Sequence, residues 1–161
     1  MPRRRSTIHA FAAALALIAA RDGSTDARAE NGMSLDEQRR CLALTMYFEA
    51  RSEGPEGMRA VGSVVLNRVE SDSFPSTVCE VVYQGGETPP CQFSWWCDGK
   101  SDVPRDREQW EIALALAAEM LEDRGDDPTG GALFFHSAAI PTPWRVERTR
   151  TVQILGHVYY R

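Results

Sequence analysis

The distribution of apolar positions alternates between helical periodicity and shorter runs bounded by turn residues. Ser34, with Glu37 three residues on, fits a capping box that opens a helix. Leu35, Leu42 and Met46 then recur at helical spacing, which predicts a first helix running to about Ala50. Glu49 lies seven residues after Leu42 and three after Met46, so a carboxylate shares the apolar face. Ser52–Gly57 (SEGPEG) is turn-like, and Pro55 suits the first turn of a second helix. That helix carries Met58, Val61, Val65 and Val69 as a core stripe, with Gly62 and Ser63 leaving room for close packing.

After Phe74-Pro75, the apolar stretch Val78 to Tyr83 fits helix or strand by periodicity, and a short helix is expected. Trp110, Ala113, Leu114, Ala117 and Leu121 mark a fourth helix ending near Gly125. Ala132 to His136 reads as a short strand, and Val152 to Tyr160, interrupted by Gly156, as a terminal strand. The expected class is α+β, mainly α, with a small sheet. Between Gly85 and Pro104 the chain is rich in Gly, Pro, Cys and aromatic residues, the composition of a long irregular segment that builds binding sites.

The first thirty residues break this pattern. Arg3, Arg4 and Arg5 precede an apolar run from Ala10 to Ala20, the layout of a secretory signal peptide. The run is shorter than the roughly 20 apolar residues of a spanning helix, so no stable membrane anchor is expected after its removal. Ala27-Arg28-Ala29 offers a cleavage site after Ala29, with Ala20 as the alternative. The expected division is a signal over 1–29, a linker and the start of the first helix over 30–40, and a catalytic domain over 41–161. The expected location is periplasmic or secreted.

Export changes how charge and cysteine are read. Residues 1–29 hold five arginines and two aspartates, so their loss takes the formal charge from -5 to -8. So acidic a domain lacks the basic footprint of a nucleic-acid binder. Cys41, Cys79, Cys91 and Cys97 are an even set, which in an exported chain suggests two disulfides, although four cysteines allow three pairings. Cys91 and Cys97 bracket a short segment as a loop clamp, which leaves Cys41 for Cys79. The spacings contain no C-x2-C unit and no adjacent histidine, so no metal site is expected.

Glu49 stands out chemically. A carboxyl on an apolar face is disfavoured as an anion, and an acid that stays protonated near neutral pH can protonate the leaving oxygen of a glycosidic bond. The same pattern also fits a helix glutamate paired with Arg51 or Arg68. Glu53 would lie one turn further on that face if the helix persisted, as a second carboxylate; if the turn ends the helix, it shapes the turn or pairs with an arginine. Asp98, beside the clamp, reads more readily as a solvated loop residue.

An ordered string of motifs adds to this. Tyr47-Phe48-Glu49-Ala50-Arg51-Ser52-Glu53, Gly57, Val64-Val65-Leu66-Asn67-Arg68-Val69, Phe74-Pro75, Val82-Tyr83-Gln84, Cys91-Gln92-Phe93-Ser94, Asp127-Pro128-Thr129-Gly130-Gly131-Ala132-Leu133 and Gly156-His157-Val158-Tyr159-Tyr160 span nearly all of Cys41 to Arg161. Together they resemble the cell-wall hydrolase family that includes the spore cortex-lytic enzymes. The resemblance implies a lysozyme-like domain acting on the MurNAc-GlcNAc backbone of peptidoglycan, with no cofactor. It makes Glu49, in the E-A-R motif, the essential acid of a lytic transglycosylase-like reaction that closes a 1,6-anhydro ring. The clamp and Trp95-Trp96 depart from the spore enzymes and resemble exported versions from Gram-negative bacteria.

Beside Glu49, the residues expected to line or support the cleft are Tyr47, Arg51, Glu53, Gln92, Phe93, Ser94, His136 and Trp144, and one of Trp95, Trp96 and Trp144 is expected to touch ligand. His136 also fits a satisfied structural histidine. Arg51 and Asn67-Arg68 either hold Glu49 or brace two helices. Rival readings are a hydrolytic muramidase, which leaves a reducing end, and a non-catalytic peptidoglycan-binding module. A zinc amidase is disfavoured, because only His136 and His157 remain after signal removal and no H-E-x-x-H occurs.

Overall fold

The computed structural model describes residues 32–142 and 147–161. Ser34 caps the first helix as its sequence demands: its hydroxyl accepts from the Glu37 amide at 3.2 Å, and the Glu37 carboxylate accepts from the Ser34 amide at 2.7 Å. Helix α1 spans Leu35–Ala50, a 3-10 turn spans Arg51–Glu53, and α2 spans Gly54–Val69. Gly54 has φ 68°, a left-handed conformation that glycine adopts without strain, and it lets the chain fold back from the turn into α2. The turn therefore ends α1 before Glu53, and Glu53 does not continue the face of Glu49.

Three further helices follow, α3 (Val78–Val82), the single turn α4 (Ser94–Cys97) inside the irregular segment, and α5 (Arg107–Glu122). Thr77 caps α3 and Asp106 caps α5, each through its side-chain oxygen. Helix α5 ends just short of the Gly125 expected from sequence. Among the described residues no helix is long and apolar enough to cross a membrane.

The small sheet comprises β1 (Phe134–Ser137), β2 (Arg150–Ile154) and β3 (His157–Tyr160), antiparallel in the order β1-β3-β2. The single terminal strand expected over Val152–Tyr160 is thus a hairpin, with Gly156 in its turn. Leu155 at φ 48° reverses the chain there, and Ile154 pairs with His157. An apolar run cannot distinguish one strand from two when the turn between them is this short.

Helix α2 is the centre of the molecule and is buried on opposite sides. Met58, Val61 and Val65 pack with Leu42 and Met46 of α1, Val81 and Val82 of α3, and Ala113, Ala117 and Met120 of α5. Gly62 faces the Met46 and Met120 sulfurs, where an added Cβ would lie 3.1–3.2 Å from them, so its missing side chain sets how closely three helices approach. On the other side Ala60 and Val64 meet Ala132, Ile154 and Tyr159. Leu35, in the expected apolar stripe of α1, instead stays 57% exposed, at the edge of an open cavity between the first turn of α1 and the last turns of α5.

Both expected disulfides are present: Cys41–Cys79 joins α1 to α3, and Cys91–Cys97 closes the loop that carries α4. The first ties two core elements; the second shapes a surface loop.

Candidate active site

Glu49 sits in the last turn of α1, with Phe48 before it and Ala50, fully buried, after it. Its side chain reaches the meeting point of two cavities, of about 290 and 280 Å3, which share Glu49 and Ser94 in their walls. A larger cavity of about 380 Å3 lies elsewhere, between Leu35, Asp36 and Arg39 of α1 and Ala118, Leu121 and Glu122 of α5. Its polar groups are ordinary surface charges, Arg39 being paired with Asp36 at 3.1 Å. Size therefore does not choose the site here; chemistry does.

Burial pushes the Glu49 carboxyl up to about 7, against the opposing pull of the Arg68 guanidinium. Near neutral pH it is poised between acid and base. Burial likewise pushes Arg68 down to about 10, while Glu49 favours its charged form. Arg68 is held firmly: Nε donates to the Leu133 carbonyl at 2.8 Å, and the guanidinium lies 5.1, 5.3 and 5.8 Å from the centres of the Phe74, Phe93 and Phe134 rings. With the Gln92 amide turned so that its oxygen faces this group, it accepts from Nη1 and Nη2 at 3.1 and 3.2 Å. Arg68 is thus both a brace between α2 and the sheet and the charged partner of Glu49.

The cavity on this side is walled by Arg68, Gln92, Phe93, Phe135, His136 and His157, with Ser94 at its edge. His136 is engaged at both ring nitrogens, by the Ser137 carbonyl at 2.8 Å and the Tyr160 hydroxyl at 3.0 Å. That is the satisfied histidine of the sequence reading, placed on the cavity wall. The other cavity is lined by Phe48, Arg51, Trp95, Asp98, Lys100, Ser101 and Asp102. Trp95 stacks on Phe48 at 5.1 Å, and Lys100 donates to Asp98 at 3.1 Å. Burial, then the neighbouring charges of Asp98 and Glu87, push Asp102 up.

The remaining expected residues divide by role. Tyr47 lines neither cavity; its hydroxyl accepts from the Arg105 and Asp106 amides at 3.1 and 2.9 Å and so supports the start of α5. Arg51 lies over the Tyr47 ring at 5.2 Å and borders the charged cavity. Asn67 holds a turn and not Glu49, its amide donating to Ala132 O at 2.8 Å and to Asp127 at 3.1 Å. Trp96 packs against Tyr83 at 4.2 Å and lines neither cavity at Glu49, whereas Trp95 borders the charged one. Trp144 lies outside the described residues.

Glu53 turns away from Glu49's face and meets His157, its two carboxylate oxygens 3.1 and 3.2 Å from Nδ1. Tyr159, buried beneath, has its phenol pushed up by burial and then by the charges of Glu53 and Glu49, which places all three in one neighbourhood. His157 had no role in the sequence reading. It lies 104 residues from Glu53, and periodicity carries no signal over that distance.

A mostly helical domain with a small antiparallel sheet and one protonatable glutamate in the cleft defines a lysozyme-like protein. The chain belongs to the cell wall hydrolase family, whose model matches residues 52–160, beginning just beyond Glu49. It is 32% identical over 120 residues to the spore cortex-lytic enzyme of Oceanobacillus iheyensis, covering 73% of this chain and 39% of that protein. It is 31% identical over 121 residues to the Bacillus subtilis enzyme, covering 74% and 36%. The chain thus spans well under half the length of these relatives. Among solved structures it resembles the catalytic domain of the germination-specific lytic transglycosylase SleB from Bacillus anthracis, with a TM-score of 0.62, 30% identity and coverage of 83% of this chain and all of that one. The catalytic domain of Bacillus cereus SleB gives 0.61 and 29%, covering 86% of this chain and all of that one.

Proposed function

We propose that this protein cuts the glycan strand of peptidoglycan as a lytic transglycosylase, with Glu49 as both acid and base. The observation that carries the proposal is a carboxyl raised to about 7 at the junction of two cavities, in the E-A-R motif. Protonated Glu49 gives its proton to the glycosidic oxygen as the bond to MurNAc C1 breaks. The resulting carboxylate, stabilised by Arg68, takes the proton of the MurNAc 6-hydroxyl while O6 bonds to C1. A 1,6-anhydro ring closes, Glu49 is again protonated, and no water is consumed.

The engagement of Glu53 by His157, outside both cavity walls, removes the second carboxylate nearest to Glu49 in sequence and so supports the single-carboxylate scheme over a hydrolysis that would use Glu53. Mass spectrometry of digested sacculi tests the assignment: anhydro-muropeptides are expected. Reducing MurNAc ends would make the protein a muramidase, and binding without release would make it a non-catalytic module.

Export with loss of residues 1–29 belongs to the same proposal. The arginine cluster with its apolar run and the two disulfides support it. N-terminal sequencing of the protein from the periplasm checks it, with a chain starting at Glu30, or at Arg21 for the alternative site. An intact leader on cytosolic protein would overturn it.

A further inference from the structure

We propose that His157, oriented by Glu53, is a second sugar-contacting group of the cleft, accepting a hydrogen bond from a saccharide hydroxyl through Nε2. This rests on the glycan-cleaving reading above. It begins with a pairing that only the fold creates. The carboxylate of Glu53 can meet Nδ1 only as an acceptor, so Nδ1 carries the proton. In the neutral ring Nε2 is then left with a lone pair. Nε2 makes no hydrogen bond to any described residue, and His157 shares a cavity wall with Glu49.

The ring is fixed on its other sides too. His157 meets Phe135 edge to face at 5.2 Å, and the register that pairs it with Ser137 and Ile154 puts it on the sheet face that carries Phe135 and Tyr159. Glu53 itself lies in a slot made by two glycines. A Cβ added to Gly156 would stand 2.5 Å from Oε1, and one added to Gly57 would stand 2.6 Å from Oε2. Largely removing a carboxylate from water is unfavourable unless it is paired and bonded. Here its partner is the histidine it orients, whose tautomer it sets. His136, on the same wall, has both nitrogens occupied by protein and offers no such acceptor.

The alternative is a fastener: the pair ties the 3-10 turn to β3, and the cleft makes no use of it. Two substitutions separate the roles, since asparagine places its amide near the position of Nδ1 and glutamine near that of Nε2. If His157 contacts sugar, the variants cross over. H157N keeps the bond to Glu53 and melts close to wild type, but loses about tenfold in kcat/KM on purified sacculi, the scale of one lost hydrogen bond. H157Q melts lower, because Glu53 loses its partner, yet recovers most of that tenfold.

A binding measurement separates failure of this inference from failure of the enzymatic reading. The full chain carrying E49Q is titrated with a GlcNAc-MurNAc tetrasaccharide, with and without H157N, and about tenfold weaker binding is expected in the double variant. That result supports the contact even if wild-type protein releases no muropeptides. The inference is overturned if H157N keeps wild-type kcat/KM, if H157Q is no more active than H157N, or if the tetrasaccharide binds the E49Q chain equally with and without H157N or not at all.

Discussion

The two cavities that meet at Glu49 have similar volumes but opposite construction. The wall with Arg68, Gln92, Phe93, Phe135 and His157 comes from α2, the clamped loop and the sheet, and its polar groups are held by aromatic rings and hydrogen bonds. The wall with Arg51, Asp98, Lys100 and Asp102 comes from the end of α1 and the surface loop, with charges that pair locally and face solvent. A prepaid orientation costs nothing when substrate binds, whereas exposed side chains must be ordered at that moment. On the proposed glycan-cleaving reading, the sheet side is therefore the wall that positions the reacting sugar, and the loop side is the more adaptable one.

Glu49 belongs to both walls, so its removal should exceed any change confined to one. E49Q keeps the shape and removes the transferable proton, and a loss of roughly 100-fold to 10,000-fold in muropeptide release is expected. Near wild-type release by folded E49Q would remove Glu49 from the mechanism. The same variant reports on stability. A carboxyl raised from 4.5 to about 7 on folding leaves stability intact below pH 4.5 and lowers it progressively as pH rises through 7. Relative to wild type, E49Q should therefore gain up to about 3 kcal/mol between those limits, read from denaturant melts at pH 4 and pH 8.

The pH profile distinguishes the walls directly. The proposed mechanism requires protonated Glu49, so kcat/KM should fall about tenfold per pH unit above about 7. Arg68 opposes the rise, so R68M should carry this limb to higher pH, at some cost in melting temperature. D98N, on the loop side, should leave the limb where it is. Equal shifts from both variants would erase the electrostatic distinction between the walls.

The disulfides make the same comparison for stability. By loop-closure entropy, replacing Cys41 and Cys79 by serine should cost about 4 kcal/mol, and replacing Cys91 and Cys97 about 2 kcal/mol. Activity should follow the reverse order, because the shorter clamp shapes the segment that supplies Gln92, Phe93 and Ser94. Melting curves and sacculus digestion on both double variants check this. The smallest effect belongs to the loop-side ion pair: K100M should change KM by roughly two- to threefold.

Much of this was legible in the chain because it is local. The capping box at Ser34, the stripe of α2, the turn at SEGPEG and the small-residue contact at Gly62 each depend on neighbours within a turn or two, where side-chain spacing dictates geometry. The helix face that Glu49 occupies was legible for the same reason, since its position after Leu42 and Met46 sets it, whereas its assignment as the acid came from the motif resemblance. Both cysteine pairs followed from one short bracket and its remainder. The hairpin at Gly156 was not legible, because an apolar run looks the same with or without a reversal inside it.

What the tertiary structure alone decided is which distant groups become partners. Arg68 approaches Glu49 because α2 packs back along α1, and the sequence left its role open between brace and partner; the fold makes it both. Glu53 was expected on the face of Glu49 or in a turn, yet the left-handed Gly54 and the hairpin bring it to His157, in a slot that exists because Gly57 and Gly156 carry no side chains. Spacing along one element is set by bond geometry and is written in the sequence. A meeting across 104 residues is set by how whole elements pack, and no local pattern encodes it.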